Sequence, residues 1–332
     1  AQARPMDDLG PIPAERWLNL DGGSPAPMER RAVEDMLPTG LRAIDGLACL
    51  AEGQRLGLFA GPGLGKSTLL GHLAQACDAD RLVIALVGER GREIGDFLRR
   101  DLGSHGLKRA VVVAAAADVP AADRARVVPM ATSLAEAFRD QGHKVLLLVD
   151  SLTRHARALR ELAFGAGERP ARGAYPSSVL ESLAKLVERA GCGIEGSVSA
   201  VYTVLTEGDE LKDPLAEELR GLLDGHWVLS PELARCGCFP AIDPLRSLSR
   251  LMDRVVSREH ARAAATVRSL FQAYWDRRDL IAAGAYEPGS EPLTDRALAL
   301  WPQMLRFIGQ AREEQADWRQ SLQALRALVE GL

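Results

Sequence analysis

The sequence predicts a doubly wound α/β domain with a mostly parallel sheet, followed by a C-terminal helical domain. From Gln54 onward, short apolar runs alternate with amphipathic stretches, the pattern of strands joined by crossover helices. After about Asp253 only helical spacing of apolar residues remains. We therefore expect a linker segment over residues 1–39, the α/β domain over 40–253 and the helical domain over 254–332.

The predicted strands are continuous apolar runs, as expected of a parallel sheet that is covered on both faces. They are Arg55–Ala60, Leu82–Val87, Ala110–Ala115, Val145–Val149 and Val198–Leu205. The stretches between them repeat apolar residues at helical spacing. They predict helices over Lys66–Cys77, Glu93–Arg100, Arg124–Asp140 and Ser178–Ala190.

The two ends of the chain have different patterns. Residues 1–39 are proline-rich and lack periodicity, which indicates a linker wrapped on the surface of a domain. The C-terminal part predicts amphipathic helices over Glu259–Arg277, Thr294–Gln310 and Glu313–Val329. A turn-rich break over Gly284–Gly289 separates the first two helices.

Composition narrows the class of protein. The 332 residues are 47% hydrophobic and carry a net charge of −4, so the overall balance does not favour nucleic acid as a partner. The five cysteines are scattered and odd in number, which argues for a reducing compartment. Cys236-Gly-Cys238 reads as loop cysteines rather than a zinc site. No stretch has the ~20 apolar residues of a membrane span. We therefore expect a cytosolic protein that contacts membranes only through partners.

A phosphate-binding loop lies between the first predicted strand and the first long helix. Its Gly65-Lys66-Ser67 matches the end of the G-x-x-x-x-G-K-[ST] motif, although Ala60 replaces the first glycine. Lys66 is expected to neutralise the β- and γ-phosphates of ATP, and the Ser67 hydroxyl to bind Mg²⁺. The residues expected to contact the nucleotide are Gly61, Pro62, Gly63, Leu64, Gly65, Lys66, Ser67 and Thr68.

Two acids follow predicted strands. Asp150 ends the run Val145–Val149, where an aspartate beside a phosphate-binding loop holds Mg²⁺, usually through water. Without that loop, a helix-capping role would be the better interpretation. Glu89 follows the second strand and could polarise the attacking water. On its own, Gly88–Glu93 would read as an exposed charged run.

The order of the motifs is that of a known family. From about Gly10 to Gln310, the chain resembles the type III secretion ATPases, which are relatives of the catalytic subunit of F-type rotary ATPases. The resemblance implies a RecA-like P-loop domain. The segments that carry it are the phosphate-binding loop, Gly88–Glu93, Val149–Arg154, Tyr202–Asp209, Leu223–His226, Phe239–Asp243 and Gly284–Ser290.

The resemblance assigns roles around the γ-phosphate. Glu89 matches the general base, and Arg90 the arginine beside it that senses the γ-phosphate. Glu93 matches an acid in the outer shell of the magnesium, and Asp150 the strand-end acid. Arg154 matches an arginine that contacts the γ-phosphate region.

The resemblance also implies that the site is completed between subunits. Ser247–Arg250 matches the segment that supplies an arginine finger, here Arg250, to the neighbouring copy. Such a guanidinium is worth ~10³–10⁵ in rate. Phe239 and Pro240 match the position whose aromatic ring stacks on adenine.

The implied function is ATP hydrolysis that powers a type III export apparatus, with chaperones released from unfolded substrates. The implied partners are further copies in a homohexamer, central stalk and stator proteins, and chaperone–effector complexes. The implied location is the cytoplasmic base of the apparatus at the inner membrane. Because the family's β-barrel domain is absent from the sequence, we expect this fragment to be mostly monomeric in dilute solution.

Four alternatives were weighed at this point. The flagellar and injectisome branches of the family are hard to separate, although we favour the injectisome. A hexameric RNA translocase would need basic, aromatic pore loops, which the sequence does not offer. The C-terminal aromatic residues could bind a partner helix or chaperone, but a bundle core is the better interpretation. A non-hydrolysing regulatory subunit would typically lose the catalytic glutamate, whereas Glu89 is present.

Overall fold

The computed structural model describes residues 5–7, 10, 17–206 and 213–330, and within them one central sheet. Its strands are β1 (Arg55–Ala60), β2 (Arg81–Glu89), β3 (Ala110–Ala116), β4 (Lys144–Asp150), β5 (Gly191–Cys192), β6 (Ser197–Leu205), β7 (Gly225–Val228) and β8 (Leu248–Ser249). The order across the sheet is β3-β2-β4-β6-β1-β7-β8, and β5 pairs with β6. The last residues of the matched segment Tyr202–Asp209 lie outside the described residues.

Helices cover both faces of the sheet and form the C-terminal part. They are α1 (Arg42–Leu47), α2 (Lys66–Ala76), α3 (Gly91–Asp96), α4 (Gly103–Leu107), α5 (Ala121–Arg139), α6 (Leu152–Gly165), α7 (Ser177–Glu188), α8 (Pro214–Leu222), α9 (Pro231–Arg235), α10 (Met252–Val255), α11 (Arg258–Ala282), α12 (Pro292–Ile308) and α13 (Trp318–Val329). A π-helical turn spans Phe97–Leu102, and 3-10 turns span Pro27–Glu29 and Arg172–Ala174. None of the helices described is long and apolar enough to cross a membrane.

Parallel pairing brings the ends of the strands to one edge. β2, β4, β6 and β1 pair in parallel, so their carboxyl ends lie side by side. Among the strands in the described part of the chain, β5 and β8 alone join the sheet in the antiparallel sense. This sheet and the helices after it confirm the predicted fold class. The edge at the strands' carboxyl ends is where ligands bind in such sheets.

The continuous apolar runs have a direct structural cause. In β2, Leu82, Ile84 and Leu86 pack into the core on one face of the sheet. Val83 and Val87, which alternate with them, pack into the core on the other face. Both faces are buried, so no polar alternation develops along the strand.

Most elements missed by the sequence analysis are short, but they include the 14-residue helix α6. β7 and β8 have 4 and 2 residues, and α1 has 6, too few for a clear periodic signal. The predicted helix Glu93–Arg100 is α3 followed by the π-helical turn. The third C-terminal helix begins at Trp318 rather than at residue 313, because the Asp317 side chain caps it by accepting from the Arg319 and Gln320 amides.

The N-terminal segment is fastened to the α/β domain where it is described. The Arg30 guanidinium donates to the carbonyls of Ala190, at 3.2 Å, and of Glu188, at 2.6 Å. The Arg189 guanidinium donates to the Leu20 carbonyl at 2.6 Å. The three-part division of the chain itself stays a prediction.

The C-terminal helices are held to the α/β domain by Gln310. Its buried amide donates to the carbonyls of Gly40 and Glu314, both at 2.7 Å. Its carbonyl oxygen accepts from the Arg42 amide at 3.1 Å. The Phe307 side chain from α12 packs so closely on Gly46 of α1 that a Cβ there would approach it to 2.6 Å.

Replacing Gln310 should loosen this junction. Gln310→Ala leaves the buried Gly40 carbonyl without that donor, so we expect the free energy of unfolding to fall by about 1–3 kcal/mol. Urea denaturation measures it. Gln272→Ala, which removes an exposed amide on α11, is the matched control and should change it little. Equal effects of the two substitutions would contradict the assigned role.

His155 of α6 is buried, and its burial should make the free energy of unfolding depend on pH in the acid range. Burial lowers the pKa of His155 to about 4 from its ordinary value of 6.5, and its Nδ1 has no hydrogen-bond partner in the described structure. The folded pKa is depressed, so its contribution to stability is complete above 6.5. It is lost as pH falls toward 4, because only the unfolded chain takes up the proton.

We therefore expect His155→Met to flatten the decline in unfolding free energy between pH 6.5 and 4. The difference in unfolding free energy between wild type and variant should change by about 1.4 kcal/mol per pH unit, which corresponds to the uptake of one proton. Urea denaturation at several pH values across that window measures it. A difference that does not vary with pH would contradict the prediction, whatever its size.

Candidate active site

The phosphate-binding loop joins the end of β1 to the start of α2. Gly63 and Gly65 have φ of +77° and +87°, which is the left-handed region that favours glycine. Gly65 precedes the first helical residue, Lys66, and no side chain caps the helix. The first-turn amides and the positive end of the helix dipole therefore remain available to an anion.

Two acids from neighbouring strands meet the lysine of this loop. Asp150 ends β4 and Glu89 ends β2, and both are almost fully buried. The Lys66 ammonium donates to Asp150 Oδ1, and its Nζ lies 3.6 Å from Glu89 Oε1. The pairing of parallel strands thus brings together three residues that are far apart in the sequence. These are the Lys66, Glu89 and Asp150 of the sequence prediction.

The electrostatics of Glu89 differ from those of an exposed carboxyl. Burial raises its pKa to about 7, and the charge of Asp150 adds to the increase. Lys66 and Arg154 act in the opposite direction, and the Arg154 guanidinium lies 3.1 Å from Glu89 Oε2. A hydrogen bond with Glu89 lowers the pKa of Glu93, which accepts it. Glu89 can therefore exchange a proton near neutral pH.

A small cavity of about 60 Å³ opens among these groups. Its polar walls are oxygen donors from Ser67, Glu89, Glu93 and Asp150. The apolar walls are Leu86, Ile94 and Phe97. In the part of the chain that the structure describes, no group of three or more His, Cys, Asp or Glu residues could hold a metal by itself. An oxygen set of this kind fits Mg²⁺ that is shared with phosphates, because magnesium usually takes one or two carboxylates.

The two arginines predicted to act near Glu89, Arg154 and Arg90, are placed differently. Arg154 also donates to the Gly88 carbonyl, so it is fixed against the end of β2. Arg90 instead extends into solvent, with its side chain 81% exposed and 3.8 Å from Glu93. The structure therefore brings Arg154 to the acids and leaves Arg90 outside. No described contact of Arg90 bears on the γ-phosphate role predicted for it.

The predicted adenine-binding residue does lie beside the loop. A Cβ on Gly65 would be 3.7 Å from the Phe239 ring, and Phe239 is half-exposed. Pro240 follows it directly in the chain. Pro62, Gly63, Ser67 and Thr68 lie on the exposed surface of the loop. These residues form one open surface around the N-terminus of α2.

Arg250 lies at the opposite edge of the sheet. Its amide donates to the Asp224 carbonyl at 3.0 Å, and the Asp224 amide donates to the carbonyl of Arg55, the first residue of β1. The phosphate-binding loop begins after the last residue of the same strand. A strand of 6 residues separates the two positions by roughly 17 Å, at ~3.3 Å per residue. Arg250 is thus remote from the loop of its own chain.

One contact of the site was missed by the sequence analysis. The Thr203 hydroxyl donates to Asp150 Oδ1 at 2.9 Å. Thr203 is fully buried in β6, between β4 and β1. A single threonine within an apolar run gives no signal of this kind, since threonine is common in buried strands.

Comparison with known protein families gives two matches along the chain. Residues 40–249 match the nucleotide-binding domain of the ATP synthase alpha/beta family. Residues 256–327 match the C-terminal domain of the T3SS EscN ATPase family. Together the two matches cover the sheet with its loop and the C-terminal helices.

Individual relatives are similar over almost the whole chain. A type 3 secretion system ATPase of Sinorhizobium fredii is 48% identical over 97% of this chain and 71% of its own length. A flagellum-specific ATP synthase of Pseudomonas aeruginosa is 48% identical over 99% of this chain and 73% of its own length.

Solved structures give the same result. The assembled EscN ATPase of the enteropathogenic E. coli type III secretion system has a TM-score of 0.93 and 43% identity, covering 98% of this chain and 79% of that one. EscN in complex with its central stalk EscO has a TM-score of 0.91 and 42% identity, with the same coverage.

Lys66 is the most direct test of this site. Lys66→Ala removes the cation that faces the phosphates, so we expect nucleotide binding to weaken by at least about tenfold and hydrolysis to be lost. Binding is measured with a fluorescent ATP analogue and hydrolysis by phosphate release. Lys185→Ala, at an exposed position on α7, is the control and should retain both. Normal hydrolysis by Lys66→Ala would contradict the assignment.

Proposed function

The chain belongs to the family of type III secretion and flagellar export ATPases, and from that premise we propose that it hydrolyses ATP to drive protein export, in a ring of copies. It is an ATP-hydrolysing enzyme of the ATP synthase alpha/beta family. The observation that carries the proposal is the meeting of Lys66, Glu89 and Asp150 at the edge where α2 begins. Substrate phosphates fit against the amides of that helix terminus.

Each residue of the cluster has a step in the reaction. The amides of Gly63 to Ser67 and the Lys66 ammonium bind the phosphates and neutralise their charge. Glu89 orients the attacking water and accepts its proton, for which a pKa of about 7 is suitable at neutral pH. Arg154 holds the Glu89 carboxylate through Oε2 and supplies positive charge beside it. Exclusion of water by the apolar walls strengthens these interactions.

The residues also fit magnesium as cofactor. We assign the Ser67 hydroxyl and the Asp150 carboxylate as its protein ligands, Asp150 through water, with Glu93 further out. The fit rests on the oxygen donors that line one cavity. When bound, the ion neutralises charge that develops on the transferred phosphoryl group. Arg90 is proposed to sense the γ-phosphate, which requires its exposed side chain to turn inward.

Phe239 is proposed to stack on the adenine base. Its ring lies beside Gly65 and is half-exposed, so one face is available to a ligand. Base–aromatic stacking is worth ~1–3 kcal/mol and is tolerant of which base is bound. The adjacent Pro240 would continue this apolar surface. Stacking of this kind therefore does not by itself select adenine over other bases.

Arg250 is proposed to act on the neighbouring copy. It lies at the edge of the sheet remote from its own loop, which excludes a role on its own nucleotide without a large rearrangement. A ring places this edge of one copy against the loop of the next. The assembled EscN relative supports such an arrangement. Hydrolysis then depends on assembly.

The export role extends to partners. We propose a homohexamer that contacts a central stalk, as in the EscN–EscO complex, together with stator proteins and chaperone–effector complexes. Its place would be the cytoplasmic side of the inner membrane at the base of the apparatus. The relatives from the secretion and flagellar branches are equally identical at 48%. The flagellar relative aligns over 99% of this chain, so the match of residues 256–327 to the EscN C-terminal domain is compatible with both branches.

The action of Arg250 between copies has a specific consequence. Arg250→Ala should bind ATP normally but lose about 10³-fold or more in hydrolysis under assembling conditions. Mixing it with Glu89→Gln should restore part of the activity, because some interfaces then pair an intact Arg250 with an intact Glu89. Phosphate release is measured at several protein concentrations and mixing ratios.

Arg235→Ala, with its side chain 76% exposed, serves as the control and should hydrolyse normally. Mixed samples without recovered activity would contradict action between copies. Normal hydrolysis by Arg250→Ala alone would remove the residue from the active site altogether.

A further inference from the structure

Thr203 is a buried polar residue with an unusual partner. It is fully buried in the interior of β6, opposite Leu58 of β1. Its hydroxyl donates to Asp150 Oδ1 at 2.9 Å, although Asp150 belongs to another strand. Buried hydroxyls of threonine more often bond to a backbone carbonyl of their own element, as Thr132 does with Val128 in α5.

The carboxylate of Asp150 receives two donors on the same oxygen. One is the Lys66 ammonium and the other is the Thr203 hydroxyl. Together they fix the rotation of the carboxylate about its last torsion. That rotation decides where Oδ2 is directed in the cavity that Asp150 lines with Ser67.

The two donors are not equivalent once a nucleotide is bound. In the proposed function, Lys66 turns to the β- and γ-phosphates and leaves Asp150. The Thr203 hydroxyl belongs to a fully buried strand residue that is not among the residues lining the cavity, so it stays in place. It then remains as the donor that fixes Asp150 at the moment when Asp150 is needed for metal binding.

We propose that Thr203 is the positioning residue of Asp150: its hydroxyl holds the carboxylate in the orientation that binds hydrated Mg²⁺ after Lys66 has moved to the phosphates. The inference rests on the proposed function of the same site. Loss of such an outer-shell partner typically costs 10–100-fold in metal affinity. Loss of the Thr203 hydroxyl should therefore weaken nucleotide binding in the presence of Mg²⁺ and leave binding without Mg²⁺ unchanged.

The test is binding of a fluorescent ADP analogue, N-methylanthraniloyl-ADP, in excess Mg²⁺ and in EDTA. Thr203→Val keeps the branched shape and removes the hydroxyl. We expect its Kd to rise about tenfold in Mg²⁺ and to change less than about twofold in EDTA. The Mg²⁺ concentration for half-maximal binding should rise by a similar factor. Thr203→Ser, which keeps the hydroxyl, should restore both values.

The matched control is Ser199→Ala on the same strand, four positions earlier in the sequence. It removes another buried hydroxyl, which accepts from the Gly53 amide at 2.8 Å. We expect it to affect thermal stability and to leave the Mg²⁺ dependence unchanged. If Thr203→Val does not fold, Thr203→Ala provides the same comparison.

The possible outcomes distinguish failure of the inference about Thr203 from failure of the proposed function. If Thr203→Val weakens binding equally in Mg²⁺ and in EDTA, the residue is merely structural and the inference fails. No change in either condition also overturns it. If the wild-type protein binds no nucleotide in Mg²⁺, the proposed function itself fails, before Thr203 is considered.

Discussion

The charge balance between Lys66 and the two carboxylates at the end of β2 and β4 is the constraint on which the site depends. Two carboxyls line one small cavity, and both burial and the charge of Asp150 disfavour the charged form of Glu89. The pKa of Glu89, about 7, reflects that cost even with Lys66 and Arg154 nearby. A ligand that draws Lys66 away must therefore bring compensating positive charge. This is the physical reason why a nucleotide would bind here together with a divalent cation.

The sheet makes this balance possible by strand order. The order β2-β4-β6-β1 places the two acids, the buried Thr203 and the phosphate-binding loop in sequence along one edge. The same order sends Arg250 to the other edge, beside the start of β1. If Arg250 acts as proposed, one domain presents most of the site on one side and the arginine that completes it on another. Closed rings are the usual way to join unlike surfaces of identical chains.

The features that could be predicted from the sequence were those with a long run of apolar residues or a motif of fixed spacing. The five long strands and the loop were predicted because buried parallel strands read as continuous apolar runs, and the loop has a fixed spacing. β7 and β8 were too short to show a period, and the π-helical turn after α3 has no pattern of its own. The roles predicted for Glu89 and Arg250 came from the family resemblance. A run of charged residues in a sequence does not show which of its side chains tertiary contacts will bury. Thr203 could be found only from its distance to Asp150.

The helix that carries the phosphate-binding loop also meets the C-terminal helices. Near the end of α2, His72 Nε2 lies 3.3 Å from the Gly40 carbonyl, which also accepts from the Gln310 amide at 2.7 Å. The Gln310 backbone amide in turn donates to the Phe239 carbonyl at 2.7 Å. Gln310 is thus hydrogen-bonded both to the segment that carries the proposed adenine-binding ring and to the segment that contacts α2. Since packed elements resist continuous deformation, a shift of α2 at its phosphate end has to be accommodated at this junction. The C-terminal helices are therefore linked to the nucleotide site through the hydrogen bonds of Gln310, although none of their described side chains lines the cavity.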